Sequence, residues 1–518
     1  MDGNRHGGVA LAHGQTIIQV AIVSLSMSVL LFIILVVIPS DRTVSSVLVV
    51  LLGLPLITAL ALKSRMESPD YFEIIYPISF IYFLSFCLRG IVLIANPADM
   101  NWGVDGFKAI NKALGFGLLG LISMWLGYYY LSSKPGKHIN ALVNRLLPDE
   151  WRTNKAIKRI LFLFVVGISL QIIAILAGLA QAPRVGVASA LVTSFSEHLT
   201  FLSTIGLFLF SLFVFRRKDS ERKLLQLIIW GCMLLSEVLI GMIAGSRSVV
   251  LISLFIIPMI CYNYTRKHVS IKLLLMYIVL LLVVFLAVIM PLVGPFKRAI
   301  STSSSSRSLS EYLRAARQGS YEKALGEKLS ELSRRQILLE NLAIVITETP
   351  STFPFQNGRT FLSAATNLIP RIIWSEKVTY NLDSWFSREY VGWREEWLVK
   401  GSANPLEGNI ELGIAKGSTG VTNMGELYIN FGLTGLVIGM FILGLLYRSV
   451  YKNLIGNQAV GDLKILVYYS FLMSFIWVEG SLGSLFVGII IRILILVAVV
   501  IFLRINIGTR ERPMHSYD

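Results

Sequence analysis

Long apolar runs, separated by short and mostly basic stretches, fill almost the whole of this chain, and a single interval breaks the rhythm. A hydrocarbon core about 30 Å thick needs about 20 residues of helix to cross it. Against that length the runs predict twelve spans, at roughly 16–38, 43–62, 71–95, 109–131, 159–180, 198–215, 224–243, 247–263, 271–292, 424–447, 463–478 and 482–503. The first is expected to be retained: its apolar stretch is too long for a signal peptide, no small-residue cleavage site follows, and another span comes directly after. The expected fold class is an all-α polytopic membrane protein with about twelve transmembrane helices and one large extracytoplasmic loop. Residues 1–292 form an N-terminal bundle of about nine helices, 293–423 the loop, and 424–518 about three more helices with a short cytoplasmic tail.

Composition agrees. Of 518 residues 54% are hydrophobic and only 15% charged, where a soluble domain carries about a quarter charged. The net charge of +16 would suggest nucleic acid in a soluble protein. Here its distribution points to membrane topology instead. Alternate segments, starting from the N-terminus, hold 24 Lys and Arg, and the short segments between them hold 5. That bias places both termini in the cytoplasm and the large loop outside. Cys87, Cys232 and Cys261 lie in or beside apolar runs without CxxC spacing and read as packing residues.

The loop has its own organisation. Residues 301–306 are a low-complexity hinge, and from Leu309 to Ile346 apolar residues recur at helical spacing. This predicts one or two amphipathic helices lying on the membrane face or on the other helices. A turn-rich stretch with Pro350, Pro354, Asn357 and Gly358 comes next.

Charges within spans are costly and mark candidate functional positions. Arg89 and Arg247 would both open at the outer level, either as an anion site or paired with an acid such as Glu237. Arg492 and Glu479 read at least as well as a structural pair. In the loop, Ile369-Pro-Arg-Ile-Ile-Trp-Ser-Glu-Lys377 clusters Arg371, Trp374 and Lys377 after a proline turn. Trp385 and Trp393 follow among acids and bases that include Asp383. Aromatic faces beside polar groups suit sugar rings, and equally an interfacial belt or a lid core. Where the loop re-enters, Glu426 and Asn430 share one helix face and Tyr428 lies on another. Gly435 and Gly439 form a small-xxx-small step for close helix packing. The loop has no histidine, and HExxH, P-loop, GxSxG and DxD patterns are missing, so neither a metal nor a cofactor is expected.

Three stretches, Gly245-Ser-Arg-Ser, residues 369–377 and Gly425-Glu-Leu-Tyr-Ile-Asn-Phe-Gly432, together with many spans and one large late loop, resemble the bacterial oligosaccharide repeat-unit polymerases of the Wzy type. The usual Pro-Arg-x-x-Trp-x-x-Lys-Pro motif has Val378 in place of its final proline here. The resemblance implies a GT-C-like glycosyltransferase of the bacterial cytoplasmic membrane. It would use undecaprenyl-diphosphate-linked oligosaccharide as donor and acceptor, with membrane lipid and a chain-length regulator protein as partners. It assigns Arg89, Arg247 and Arg371 to the diphosphate, assisted by Lys377. Glu426 would meet the acceptor hydroxyl, with Asp383 and Glu411 as rivals. Trp374, Trp385 and Trp393 would stack sugars, with Tyr428 and Asn430 nearby. An O-antigen ligase shares the layout but generally carries a loop histidine. A lipid-linked sugar transporter would explain the intramembrane arginines but not the aromatic loop.

Overall fold

The computed structural model describes residues 42–64, 70–97, 106–130, 143–147, 153–176, 201–216, 223–243, 247–265, 269–284, 338–366, 368–369, 382–390, 420–456 and 460–504. Among them no strand occurs. Eleven helices cover the second to twelfth apolar runs. They are α1 (Arg42–Ser64), α2 (Ile75–Ala95, with a π-helical turn at Leu84–Leu88), α3 (Gly106–Tyr130), α4 (Ile157–Leu176), α5 (Phe201–Arg216) and α6 (Lys223–Ile243). After them come α7 (247–265, with a π-helical turn at Ile252–Ile256) and α8 (Ile271–Val284). Three short loop helices follow, α9 (Leu338–Glu348), α10 (Arg359–Thr366) and α11 (Leu382–Glu389). The chain closes with α12 (Asn423–Leu454), α13 (Asp462–Phe475) and α14 (Leu482–Arg504). The expected span at 16–38 and the hinge at 301–306 lie outside the described residues. Seven of the described helices are long and apolar enough to cross a membrane. Leu224, Leu225, Ile228 and Leu235 on α6, and Leu275, Met276, Val279 and Leu280 on α8, are exposed apolar side chains, as helices surrounded by hydrocarbon present.

Glycines set the closest crossings. A Cβ on Gly127 of α3 would strike the backbone carbonyl of Phe441, and one on Gly444 of α12 that of Met124. Gly167 of α4 and Gly206 of α5 meet the backbones of Ser203 and Phe164 in the same reciprocal way. Without a hydrophobic drive between helices in lipid, such backbone approach supplies the dispersion contact that holds them together.

One expected element needs correction. The run at 424–447 is not one straight span, because at Gly432 the backbone leaves the helix (φ 65°, ψ −155°). Leu427 packs on Gly439 and Phe431 on Gly435, so the leg 423–431 doubles back along the following helix. The small-xxx-small seam therefore receives its own preceding segment. The carbonyls of Ile429 and Asn430, near the break, accept from the amides of Gln356 (2.9 Å) and Asn357 (3.1 Å) in the turn before α10.

The opposite end of α12 carries a buried polar lock. Glu73 Oε1 accepts from the Tyr128 hydroxyl (2.6 Å) and from Arg448 (2.8 Å), whose guanidinium lies 5.1 Å from the Tyr128 ring centre. Asp70 accepts from the Phe72 amide, from Asn263, and from the hydroxyls of Tyr264 and Tyr451. Arg216 reaches Asp462, which also accepts the Thr153 amide. The start of α2 explains this placement: Asp70 turns the chain, and Pro77 sits in the first helical turn, where a missing amide proton is not needed.

Candidate functional site

The loop helices assemble against the end of the bundle where Glu426 sits. Helix α9 is buried along Leu338–Ile346, wedged between α2, α3 and α12. Of the amphipathic stretch expected from Leu309 to Ile346, residues 338–346 thus take the second of the two expected positions, on other helices, and 309–337 lie outside the described residues. Helix α9 carries Glu340 inward, and Arg89 Nε donates to Glu340 Oε1 (2.8 Å), with both residues fully buried. Arg89 is the first residue after the π turn of α2, and beside it Leu88 and Ile91 point outward. A π turn takes one extra residue and so rotates the rest of the helix by about 100° relative to an uninterrupted one. The acid that meets Arg89 is thus Glu340, 251 positions away, and not Glu237, which lies beside Ser203 and Gln171.

Glu426 and Asn430 come together with a residue that no sequence pattern singles out, Thr360 of α10. The Asn430 amide group donates to Thr360 Oγ1 (2.7 Å), so the Thr360 proton is directed to Glu426 Oε1 (2.7 Å). Asn430 Oδ1 accepts the Gly358 amide (2.8 Å), which fixes the direction of the whole chain of donors. Glu426 Oε2 accepts the Gly483 amide (3.1 Å) at the first turn of α14. A carboxylate there meets the positive end of the helix dipole. Glu426 is fully buried and joins α10, the doubled-back leg and α14. That leg is capped by Thr422 Oγ1, which accepts the Gly425 amide (2.9 Å). Thr422 itself is held at φ 69°, which is unfavourable for a β-branched residue. Replacing Thr360 with Val should cost about 1–3 kcal/mol, because a buried carboxylate oxygen loses its donor. Thermal unfolding in detergent would show this, with Thr360→Ser close to wild type.

Asp383 stands in the first turn of α11, with Oδ1 accepting the Val421 amide (3.2 Å). It remains partly exposed, and it lies within electrostatic reach of Glu426. Burial pushes its carboxyl up to about 6, against the opposing pull of the Val421 amide. Trp385 packs edge-on against Phe353 (6.3 Å) and Tyr390 (5.3 Å), and Tyr428 lies tilted on Phe116 (5.7 Å) and edge-on to Phe355 (6.3 Å). Both belong to small aromatic cores that anchor the loop helices, and each keeps a partly exposed edge.

Arg371, Trp374, Lys377, Trp393 and Glu411 lie outside the described residues. Arg247 opens α7 five residues before its π turn. Among the described residues no three His, Cys, Asp or Glu side chains gather as metal ligands would.

Residues 153–390 match a domain of unknown function, DUF8712. That stretch runs from the turn before α4 through α11 and includes Thr360 and Asp383. Comparison with curated proteins and with solved structures gives no match.

Proposed function

We propose that the chain is a polysaccharide polymerase that joins undecaprenyl-diphosphate-linked oligosaccharide repeat units at the outer face of the bacterial cytoplasmic membrane. The observation that carries this reading is the partly exposed Asp383, held by the Val421 amide beside the buried Glu426, where three loop helices close over the spans. Asp383 is then the group that meets the acceptor hydroxyl, and Glu426, with both oxygens already engaged, is a positioning residue. The hydroxyl oxygen attacks the anomeric carbon and its proton passes to Asp383. The bond to the diphosphate breaks, and undecaprenyl diphosphate leaves with the electron pair. Positive charge placed for that leaving group is the main catalytic requirement. Arg247, Arg371 and Lys377 supply it in this reading, while Arg89 holds α9 through Glu340.

The purified protein in nanodiscs, given the lipid-linked repeat unit of its own pathway, should yield a ladder of repeat multiples. Its rate should rise with pH through about 6 as Asp383 ionises. The same raised value makes the folded state prefer the protonated acid, so Asp383 lowers stability as pH climbs from the ordinary carboxylate range to about 6. Asp383→Asn should therefore abolish extension while raising thermal stability above pH 6, since Asn can still accept from Val421. A variant extending chains at the wild-type rate would remove Asp383 from the reaction. A single transfer to another lipid would make the protein a ligase-like transferase. The break at Gly432 also suits a transporter, and movement of unaltered substrate across liposomes would establish that instead.

A further inference from the structure

Arg89, Arg448 and Arg216 each meet a carboxylate inside the bundle: Glu340, Glu73 and Asp462. Arg492, ten residues into the very apolar α14, does not: among the described residues no carboxylate pairs with it, Glu479 included. Its guanidinium donates to Ser474 Oγ (2.7 Å) on α13 and lies 5.6 Å from the ring centre of Phe201, the first residue of α5. Ser474 sends its own proton to the Ser470 carbonyl (2.9 Å), which leaves its lone pair to receive Arg492. Among the described residues one hydroxyl and one ring face thus hold a group with five N–H donors, with the Tyr469 phenol within electrostatic reach.

Arg492 is only partly buried, and the neighbouring Ile490, Ile493 and Leu494 are exposed on the outer surface of α14. Side chains on a helix lean toward its N-terminus. The guanidinium is therefore directed toward Gly483, about 13 Å up the same helix, where the Glu426 carboxylate meets the helix end. A cation in an apolar helix, partly exposed and with no carboxylate partner among the described residues, matches a phosphate oxygen in fork geometry.

We propose that Arg492, oriented by Ser474 and backed by Phe201, binds the phosphate of a membrane-embedded lipid entering between α5, α13 and α14. Resting on the polymerase reading, that lipid is the polyprenyl diphosphate of the substrate. On entry its diphosphate rests at Arg492 and its tail runs down the apolar outer face of α14, before the donor advances to Asp383 and to the cations of the leaving-group site.

Native mass spectrometry of the full-length protein, titrated with undecaprenyl diphosphate, undecaprenol, phosphatidylglycerol and inorganic diphosphate, tests this. Wild type should bind undecaprenyl diphosphate at least tenfold more tightly than undecaprenol. Arg492→Gln should lose that preference, and Arg492→Lys should keep part of it. Ser474→Ala, which leaves the charge in place, should weaken binding severalfold and covers the case in which Arg492→Gln fails to fold. Phosphatidylglycerol binding that also depends on Arg492 would support the site with a phospholipid headgroup as its source. Inorganic diphosphate binding as tightly as the lipid would overturn entry from the membrane. Undecaprenyl diphosphate binding equally well to wild type, Arg492→Gln and Ser474→Ala would overturn the site while leaving the polymerase reading intact. A wild type with no preference for the diphosphate lipid over undecaprenol would sink both.

Discussion

Leucine at position 444 is expected to stop the chain from accumulating as a folded bundle. Gly444 lies against the Met124 carbonyl and Gly127 against the Phe441 carbonyl, so α3 and α12 touch through their backbones at two reciprocal points. Neither contact involves a side chain that can swing away. Overpacking a core ordinarily costs about 1–3 kcal/mol, and here two whole helices must separate, which also strips the contacts around Gly120, Met424 and Leu436. Gly444→Leu and Gly127→Leu should each lose the monodisperse peak in size-exclusion chromatography of detergent extracts. Gly231→Leu and Gly488→Leu are the matched controls, because nothing lies within 4 Å of a Cβ at either position. Equal loss in the controls would mean that leucine in these helices, not the crossing, does the damage.

Arg448→Met is expected to cost about 3–5 kcal/mol, the range for leaving a buried charge without its partner. Glu73 would keep its Tyr128 bond and lose the cation that balances it. The loss falls where α2, α3 and α12 meet, and Tyr451, one turn beyond Arg448 on α12, bonds Asp70 in the neighbouring network. Glu73→Gln should be milder than Arg448→Met, because the amide oxygen still accepts from Tyr128. The double variant should cost less than the two single losses added together. Thermal unfolding of the four proteins in one nanodisc composition gives the coupling. Additive losses would show that Glu73 and Arg448 act independently.

The positions of the helices were legible because apolar length is a one-dimensional property, and the described helices overlap the expected runs from Arg42 to Arg504. What pairs with what was less legible. Arg89 declared itself as a charge in an apolar run, yet nothing near it in sequence points to Glu340. Glu426 and Asn430 were readable as a pair on one helix face. Thr360 was not, since a threonine in a turn-rich stretch carries no signal until α10 places it between them. The Gly435 and Gly439 seam was readable as a place of close approach. That Leu427 and Phe431 fill it depends on one backbone angle at Gly432, which hydropathy does not encode. Asp70 and Glu73, just ahead of Pro77, did not stand out from the sequence around them, and their partners on α3, α7 and α12 came only with the fold.

The π turns of α2 and α7 also bear on how relatives of this chain would be compared. Each holds one residue more than an ordinary helix needs. A relative that lacks the Leu84–Leu88 turn would align with a one-residue deletion in the middle of an apolar helix, where gaps are least readily placed. Left ungapped, its counterpart of Arg89 would be displaced by one column and would look substituted although the side chain occupied the same point in space. Conservation at Arg89 and Arg247 is therefore best counted after superposing helix faces, with a single gap allowed inside each of these two helices.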